Sequence, residues 1–345
     1  MNKLLMLCAI LFVSAAQAED KSGWDYLNAP KNIFSSYESH FKSLPTSGKV
    51  RKMPWTGSYW PTYQGGISYR WLTNEVFYKN LGKSTKGNKY LSPSEKFDMY
   101  IGRKDFPITN YERNRTRVLT NRDIPKWEGL CHNWAPASFL FKEPGPIKVR
   151  GAKRKKIHFG ASDIKALLLL NFEINKMPRT KFLGSRCNLK RGDRGFNNAR
   201  ECLDTNAGAF HIVLANMIGN NRSSFIIDKT RDQEVWNQPV AAYETRIRRK
   251  NRGASRNAAP GTVKEIEVDT VVYWVGEIDA KWNSVGTSLQ KSHYRYVLEL
   301  NKKGHIIGGE WLSWERPDFI WMPTGRPKFE GIMKPLGKLY RKSIR

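Results

Sequence analysis

The sequence predicts an α+β fold whose C-terminal half is rich in antiparallel β-structure. Three observations carry this. Ser162-Asp-Ile-Lys-Ala-Leu-Leu-Leu-Leu-Asn171 opens on a residue suited to cap a helix and continues as an apolar, buried helix. From Val263 onward, short apolar and β-branched runs take over: Val263, Ile266 and Val268, then Val271–Val275, Tyr294–Leu300 and, after a turn at Asn301-Lys-Lys-Gly304, His305–Trp311. Finally, 345 residues with 40% hydrophobic and 12% aromatic content are ample for a sizeable core.

In chain order, Met1-Asn-Lys3 is a short positive start, Leu4–Ala15 an apolar run, and Ala16-Gln17-Ala18 an A-x-A cleavage signature. The run is too short to span a bilayer, so residues 1–18 read as a cleaved secretory signal and the protein as secreted or periplasmic. A lipoprotein anchor at Cys8 would cut the apolar run in two. Residues 19–53 are polar and mixed, an N-terminal arm or pro-segment. From Pro54 to Trp71, aromatic residues punctuated by Gly and Pro suggest loops and short strands around a groove. Residues 54–245 form the expected catalytic core. Residues 246–345 are the β-rich C-terminal part, entered through a polar, basic link at Arg246–Ala259. No internal repeat is visible.

Lys and Arg number 59 against 31 Asp and Glu, a formal net charge of +28. Such a chain is attracted to polyanions, and outside the cytosol the expected partners are anionic envelope polymers or acidic protein surfaces. No zinc-finger spacing, RNP-like motif or basic heptad region supports sequence-specific recognition of nucleic acid. Loss of the signal leaves Cys131, Cys187 and Cys202. Cys187 and Cys202 flank a Gly- and Arg-rich loop and are expected to pair as a disulfide, leaving Cys131 as a free thiol.

Cys131 lies in Trp127-Glu-Gly-Leu-Cys-His-Asn-Trp-Ala-Pro-Ala-Ser138, outside any long apolar run. A thiolate beside an imidazole that a carboxylate orients is what acyl transfer needs. Phe210–Asn216 reads as a strand, Gly219–Ser224 as a turn and Phe225–Asp228 as a second strand. Centred on residues 219 and 220, the hairpin puts His211 opposite Asp228; centred on 220 and 221, it puts them diagonal. Either register places both on one face. His132 follows the thiol directly, and its side chain is expected to diverge from it. Pro136 predicts that a helix after the nucleophile is kinked there or begins near it.

Trp127–Ala137, Phe159-Gly-Ala-Ser-Asp-Ile-Lys165, Gly208-Ala-Phe-His211, Glu234-Val-Trp-Asn-Gln-Pro-Val240, Ile306-Ile-Gly-Gly-Glu-Trp311 and Arg316-Pro-Asp-Phe-Ile-Trp321 together resemble the transglutaminase elicitor family. This is the secreted oomycete cell-wall transglutaminase and its bacterial relatives, and the likeness runs from about Pro54 to Trp321. It implies a papain/transglutaminase-like cysteine acyltransferase core. The implied reaction joins protein glutamine to lysine or another primary amine, including polyamines, by an isopeptide bond. Cys131 would be the nucleophile, His211 base then acid, and Asp228 the orienting carboxylate. Tyr59 or Trp127 would offer an oxyanion donor, and Trp127, Trp134 and Trp236 apolar walls. After Val240, Ala241-Ala-Tyr243 departs from the peptide that plants detect in the oomycete enzymes. The resemblance leaves calcium open as a cofactor, though no D-x-[DN]-x-[DN]-G loop occurs. Two rivals remain: a cysteine peptidase or glutamine deamidase with water as acceptor, and a non-catalytic basic protein that binds the envelope.

Overall fold

The computed structural model describes residues 24–344 apart from 122, 153, 198, 200, 201, 284 and 285; the expected signal, Cys8 and residues 19–23 lie outside the described residues. The strands are β1 (Ser47–Lys49), β2 (Ile147–Arg150), β3 (Lys156–Phe159), β4 (Thr180–Gly184), β5 (Ile226–Asp228), β6 (Asn237–Arg252), β7 (Lys264–Val275), β8 (Leu289–Leu300), β9 (Ile306–Trp311) and β10 (Phe319–Pro323). The helices are α1 (Pro93–Ile101), α2 (Pro107–Thr116), α3 (Cys131–Leu140), α4 (Ala161–Ile174), α5 (Ala207–Leu214) and α6 (Lys334–Ser343). The main sheet is ordered β4-β10-β5-β6-β7-β8-β9, with β1 added along β6, and its pairings are antiparallel. The expected C-terminal meander is β7–β8–β9. A separate hairpin joins β2 and β3.

Two sequence expectations differ from the structure. The presumed link at Arg246–Ala259 is strand as far as Arg252, because β6 continues through it against β7. One apolar cluster includes Leu167, Phe210, Val240 and Leu298 and so crosses position 245. The stretch expected as a strand at Phe210–Asn216 is helix α5 followed by a π-helical turn, Ala215–Asn220. Asn206 caps it by accepting from the N–H groups of Gly208 and Ala209 at 2.9 and 3.4 Å. Every residue of α5 is buried. A helix apolar on all sides shows no 3.6-residue periodicity, so a short apolar run of this kind reads equally well as a core strand.

The interior is tied by buried charge as well as by apolar contact. α4 begins one residue before the expected cap: Gly160 precedes it, and Asp163 Oδ2 accepts the Gly160 N–H at 2.6 Å. The same carboxylate receives Lys96 Nζ of α1 at 2.6 Å and Trp71 Nε1 at 2.9 Å. Both ions of the Lys96–Asp163 pair are fully buried. Removing one partner of such a pair typically costs about 3–5 kcal/mol, because the other charge is then stranded. Arg70 is held in the same way by Glu95 and Glu75. Cys187 and Cys202 form the expected disulfide.

α5 approaches β9 through glycines. A Cβ at Gly208 would lie 2.1 Å from the Gly308 carbonyl oxygen, and one at Gly309 2.5 Å from the Gly208 nitrogen. These are backbone contacts that no side-chain rotation relieves. Gly208→Ala is therefore expected to destabilise the protein by about 2–3 kcal/mol in denaturant unfolding. Gly253→Ala, where a Cβ meets nothing within 4 Å, should stay within about 0.5 kcal/mol of the parent.

Candidate active site

Cys131 opens α3 and is a free, buried thiol. Pro136 sits inside the helix, five residues after its start, so its missing N–H falls beyond the first turn and the helix begins upstream of it. The N–H groups of a first turn have no intrahelical acceptor and point at whatever lies beyond the helix start. Here that is the entry to β6. Cys131 Sγ lies 3.5 Å from the Val235 carbonyl oxygen, and Asn237 Nδ2 is 3.5 Å from the sulfur. Asn237 Oδ1 accepts from Trp321 Nε1 of β10 at 2.7 Å, which turns the amide so that its NH₂ faces the thiol.

The imidazole beside the thiol is that of His132, contrary to the expectation that it diverges. His132 is next to Cys131 in the chain and interacts electrostatically with its sulfur, and its Nε2 lies 3.4 Å from Glu173 Oε2 on α4. Asn133 Nδ2 donates to the same oxygen at 3.0 Å. Burial acts to keep the ring neutral, but the sulfur and the Glu173 carboxylate outweigh it and raise the His132 pKa to about 9. In return, the hydrogen bond from His132 lowers Glu173 to about 2. The structure thus brings together a thiol, an imidazole and a carboxylate, with only the thiol among the residues expected from the sequence.

His211 and Asp228 do not form the expected pair. His211 Nδ1 meets the Tyr296 hydroxyl at 2.8 Å, which meets Thr270 Oγ1 at 2.8 Å and, through it, Thr245 Oγ1 at 2.9 Å. Burial lowers the His211 pKa to about 4, so its ring is neutral. The thiol sits at Asn237 and the His211 network at Thr245, eight residues farther along β6 and roughly 26 Å of extended strand. The cause is the helical state of residues 207–214, which swings His211 toward β8.

Asp228 ends β5 directly opposite Asn237. Its Oδ1 accepts from Trp236 N at 2.9 Å, Thr230 N at 3.2 Å and Thr230 Oγ1 at 3.0 Å. It therefore folds the loop that presents Val235 and Trp236 to the thiol. Burial raises its pKa to about 7.

Of the expected aromatic residues, Tyr59 and Trp236 meet edge to face at 5.7 Å. Tyr59 stands beside the nucleophile, because Leu130 N donates to its carbonyl at 2.6 Å. Its hydroxyl donates to Lys126 O at 2.8 Å, so the oxyanion donor that the geometry offers is Asn237 instead. Trp134 is fully buried core rather than a wall of the site. Trp127 is half-buried. Asn237 was legible as part of the Val-Trp-Asn-Gln-Pro-Val string, whereas Glu173, on an apolar helix, carried no local signal. Among the described residues, no group of three or more His, Cys, Asp or Glu side chains could hold a metal ion.

A free thiol at a helix start, with an imidazole and a side-chain amide donor around it, is an arrangement from which a cysteine acyl-transfer site can be built. The model of the transglutaminase elicitor family matches residues 30–83 and 114–342, and the chain belongs to this family. The crystal structure of the GP42 transglutaminase from Phytophthora sojae is similar, with a TM-score of 0.70 and 24% identity over 94% of this chain and 99% of that one. A search of curated proteins finds no match. Family and fold together support a transglutaminase-like function.

The ion pair makes a prediction for pH. The His132 imidazolium is present below about pH 9 and is lost as the pH rises through that value. Glu173→Gln removes a carboxylate that holds the proton, so the His132 pKa should fall by at least one unit. Titration of the imidazole by NMR measures this, and an unchanged value would remove Glu173 from the site.

Proposed function

We propose that the chain is a secreted protein-glutamine γ-glutamyltransferase working through a Cys131 thioester. The observation that carries this reading is the Cys131–His132–Glu173 cluster at the start of α3, faced by the Asn237 amide. The thiol at a helix start against a sheet is also the arrangement of papain-like enzymes. The Cys131 thiolate attacks the glutamine carboxamide carbon, and the oxyanion is met by the Cys131 backbone N–H and Asn237 Nδ2, the N–H groups of Asn133 and Trp134 being taken by Leu130 O. The His132 imidazolium gives its proton to the departing nitrogen; the C–N bond breaks and ammonia leaves. Neutral His132 then takes a proton from the incoming amine as its nitrogen attacks the thioester. The C–S bond breaks, and thiolate and imidazolium are restored. Glu173 holds the ring in place through both halves.

His211 has no part in this reading, and Asp228 acts through the loop it folds. The family resemblance and the disulfide support action outside the cytosol.

Cys131→Ala should abolish incorporation of a labelled primary amine into a glutamine-containing protein while leaving the thermal unfolding transition in place. His132→Ala should lower the rate about 10²–10⁴-fold, the usual span for a lost acid–base group. His211→Gln should keep far more activity than His132→Ala, and the reverse order would return the catalytic imidazole to α5. Release of ammonia without amine incorporation would establish the hydrolytic rival.

A further inference from the structure

A cleft of ≈ 580 Å³ is lined by Tyr59, whose carbonyl accepts the N–H of Leu130 next to Cys131, and has no Lys or Arg among its lining residues. In a chain of net charge +28, that absence is informative. The cleft is lined by Tyr59, Tyr63, Tyr69 and Trp71, and by two carboxylates, Glu277 and Asp279. Aromatic faces and carboxylates together are what recognise an alkylammonium group: the rings cover the methylene chain and attract the cation, and the carboxylates pair with it. The cleft is large enough to admit a lysine side chain or a linear diamine.

The cleft is joined to the nucleophile. Ile278 N donates to Gly57 O at 3.0 Å, which ties the segment carrying both carboxylates to the segment carrying Tyr59. Glu277 accepts Gln238 Nε2 on both oxygens, at 2.9 and 2.8 Å, and Gln238 follows Asn237, which faces the sulfur. Trp236 lies between Val235 and Asn237, the two residues touching the thiol, and its ring meets Tyr59. Tyr59 therefore lines the cleft on one side and meets, through Trp236, the segment that touches the thiol. Burial, followed by Tyr63, Glu277, Cys131 and Asp279, raises the Tyr59 phenol to about 12, so it stays neutral. Lys229, whose Nζ lies over the rings of Trp236 and Trp274, is close enough to act electrostatically on Glu277.

We propose that this cleft is the acceptor subsite and that Glu277 and Asp279 select cationic primary amines, lysine side chains and linear diamines, over neutral ones. The assignment rests on the acyl-transfer reading above. The amine enters as ammonium with its chain along Tyr63, Tyr69 and Trp71, and gives one proton to water. It attacks past the Tyr59–Trp236 pair as the free base; the C–N bond forms, the C–S bond breaks, and His132 takes the second proton.

The test compares two acceptors with one glutamine peptide: cadaverine, cationic at neutral pH, and hydroxylamine, neutral there. Asp279→Asn and Asp279→Lys are used because this side chain is exposed and its replacement leaves the Gln238–Glu277 bonds in place. The ratio of kcat/KM for cadaverine to that for hydroxylamine should fall about tenfold in Asp279→Asn, and further in Asp279→Lys, as loss and reversal of one nearby charge imply. An unchanged ratio with both acceptors active overturns the subsite while leaving the acyl-transfer reading intact. If hydroxylamine yields no hydroxamate with the parent protein, the acyl-transfer reading itself fails, and the subsite with it.

Discussion

The site depends on one contact between layers: the Asn237 side chain, held by Trp321 Nε1 on one side and facing Cys131 Sγ on the other. It joins the start of α3, the start of β6 and the middle of β10, three segments far apart in the chain. The Asn237 amide is anchored through its oxygen, so its NH₂ has one orientation available toward the thiol. An amide free to rotate would present oxygen to the sulfur half the time, repelling a thiolate and an oxyanion alike. Trp321 removes that freedom, and the pairing of β10 with β5 and of β5 with β6 places Trp321 where it can do so.

Asp228 belongs to the same support. It pairs across β5–β6 with Asn237 and collects the N–H of Trp236, while Thr230, bonded to the same carboxylate, donates to Glu234 O, so the backbone on both sides of Val235 is fixed. A buried carboxylate with three hydrogen bonds to one of its oxygens costs less to desolvate than an isolated one, yet it still titrates high. Such a group is suited to holding a loop rather than to exchanging protons with an imidazole. A strongly shifted carboxylate near a thiol thus need not be the orienting member of a triad.

These particulars explain what the sequence could and could not disclose. The meander β7–β8–β9 was legible because alternation and a Gly-containing turn act locally, and Cys131 because an odd cysteine count is arithmetic. The disulfide between Cys187 and Cys202 was legible from short spacing. The partner of the thiol was not. A strand reading of residues 210–216 put His211 and Asp228 on one face, and nothing in an apolar run of that length distinguishes a core strand from a buried helix; the Asn206 cap and the glycine approach to β9 decide it. His132 was set aside on the rule that neighbouring side chains diverge. The rule fails at a helix start, where a first-turn side chain is free to bend toward the residue before it, and Glu173 from α4 keeps it there. The strings that carried the family likeness also converge in space: 127–137, 234–240 and 316–321 meet at the thiol, and 208–211 meets 306–311 at the glycines.

The opposition between a basic chain and an acidic cleft is resolved by distance. At physiological ionic strength charges are screened over about 8 Å, so basic residues scattered across the molecule add little to the potential at a point inside the cleft. Glu277 and Asp279 act there directly, beside aromatic faces that lower the local dielectric and so strengthen the pairing. At longer range the summed field still attracts anionic polymers and acidic protein surfaces. A protein built this way can be held at a polyanionic surface by its whole exterior while its acceptor cleft binds a cation. The two attractions do not compete, because one is collective and diffuse and the other is set by two carboxylates at the edge of a single thiol site.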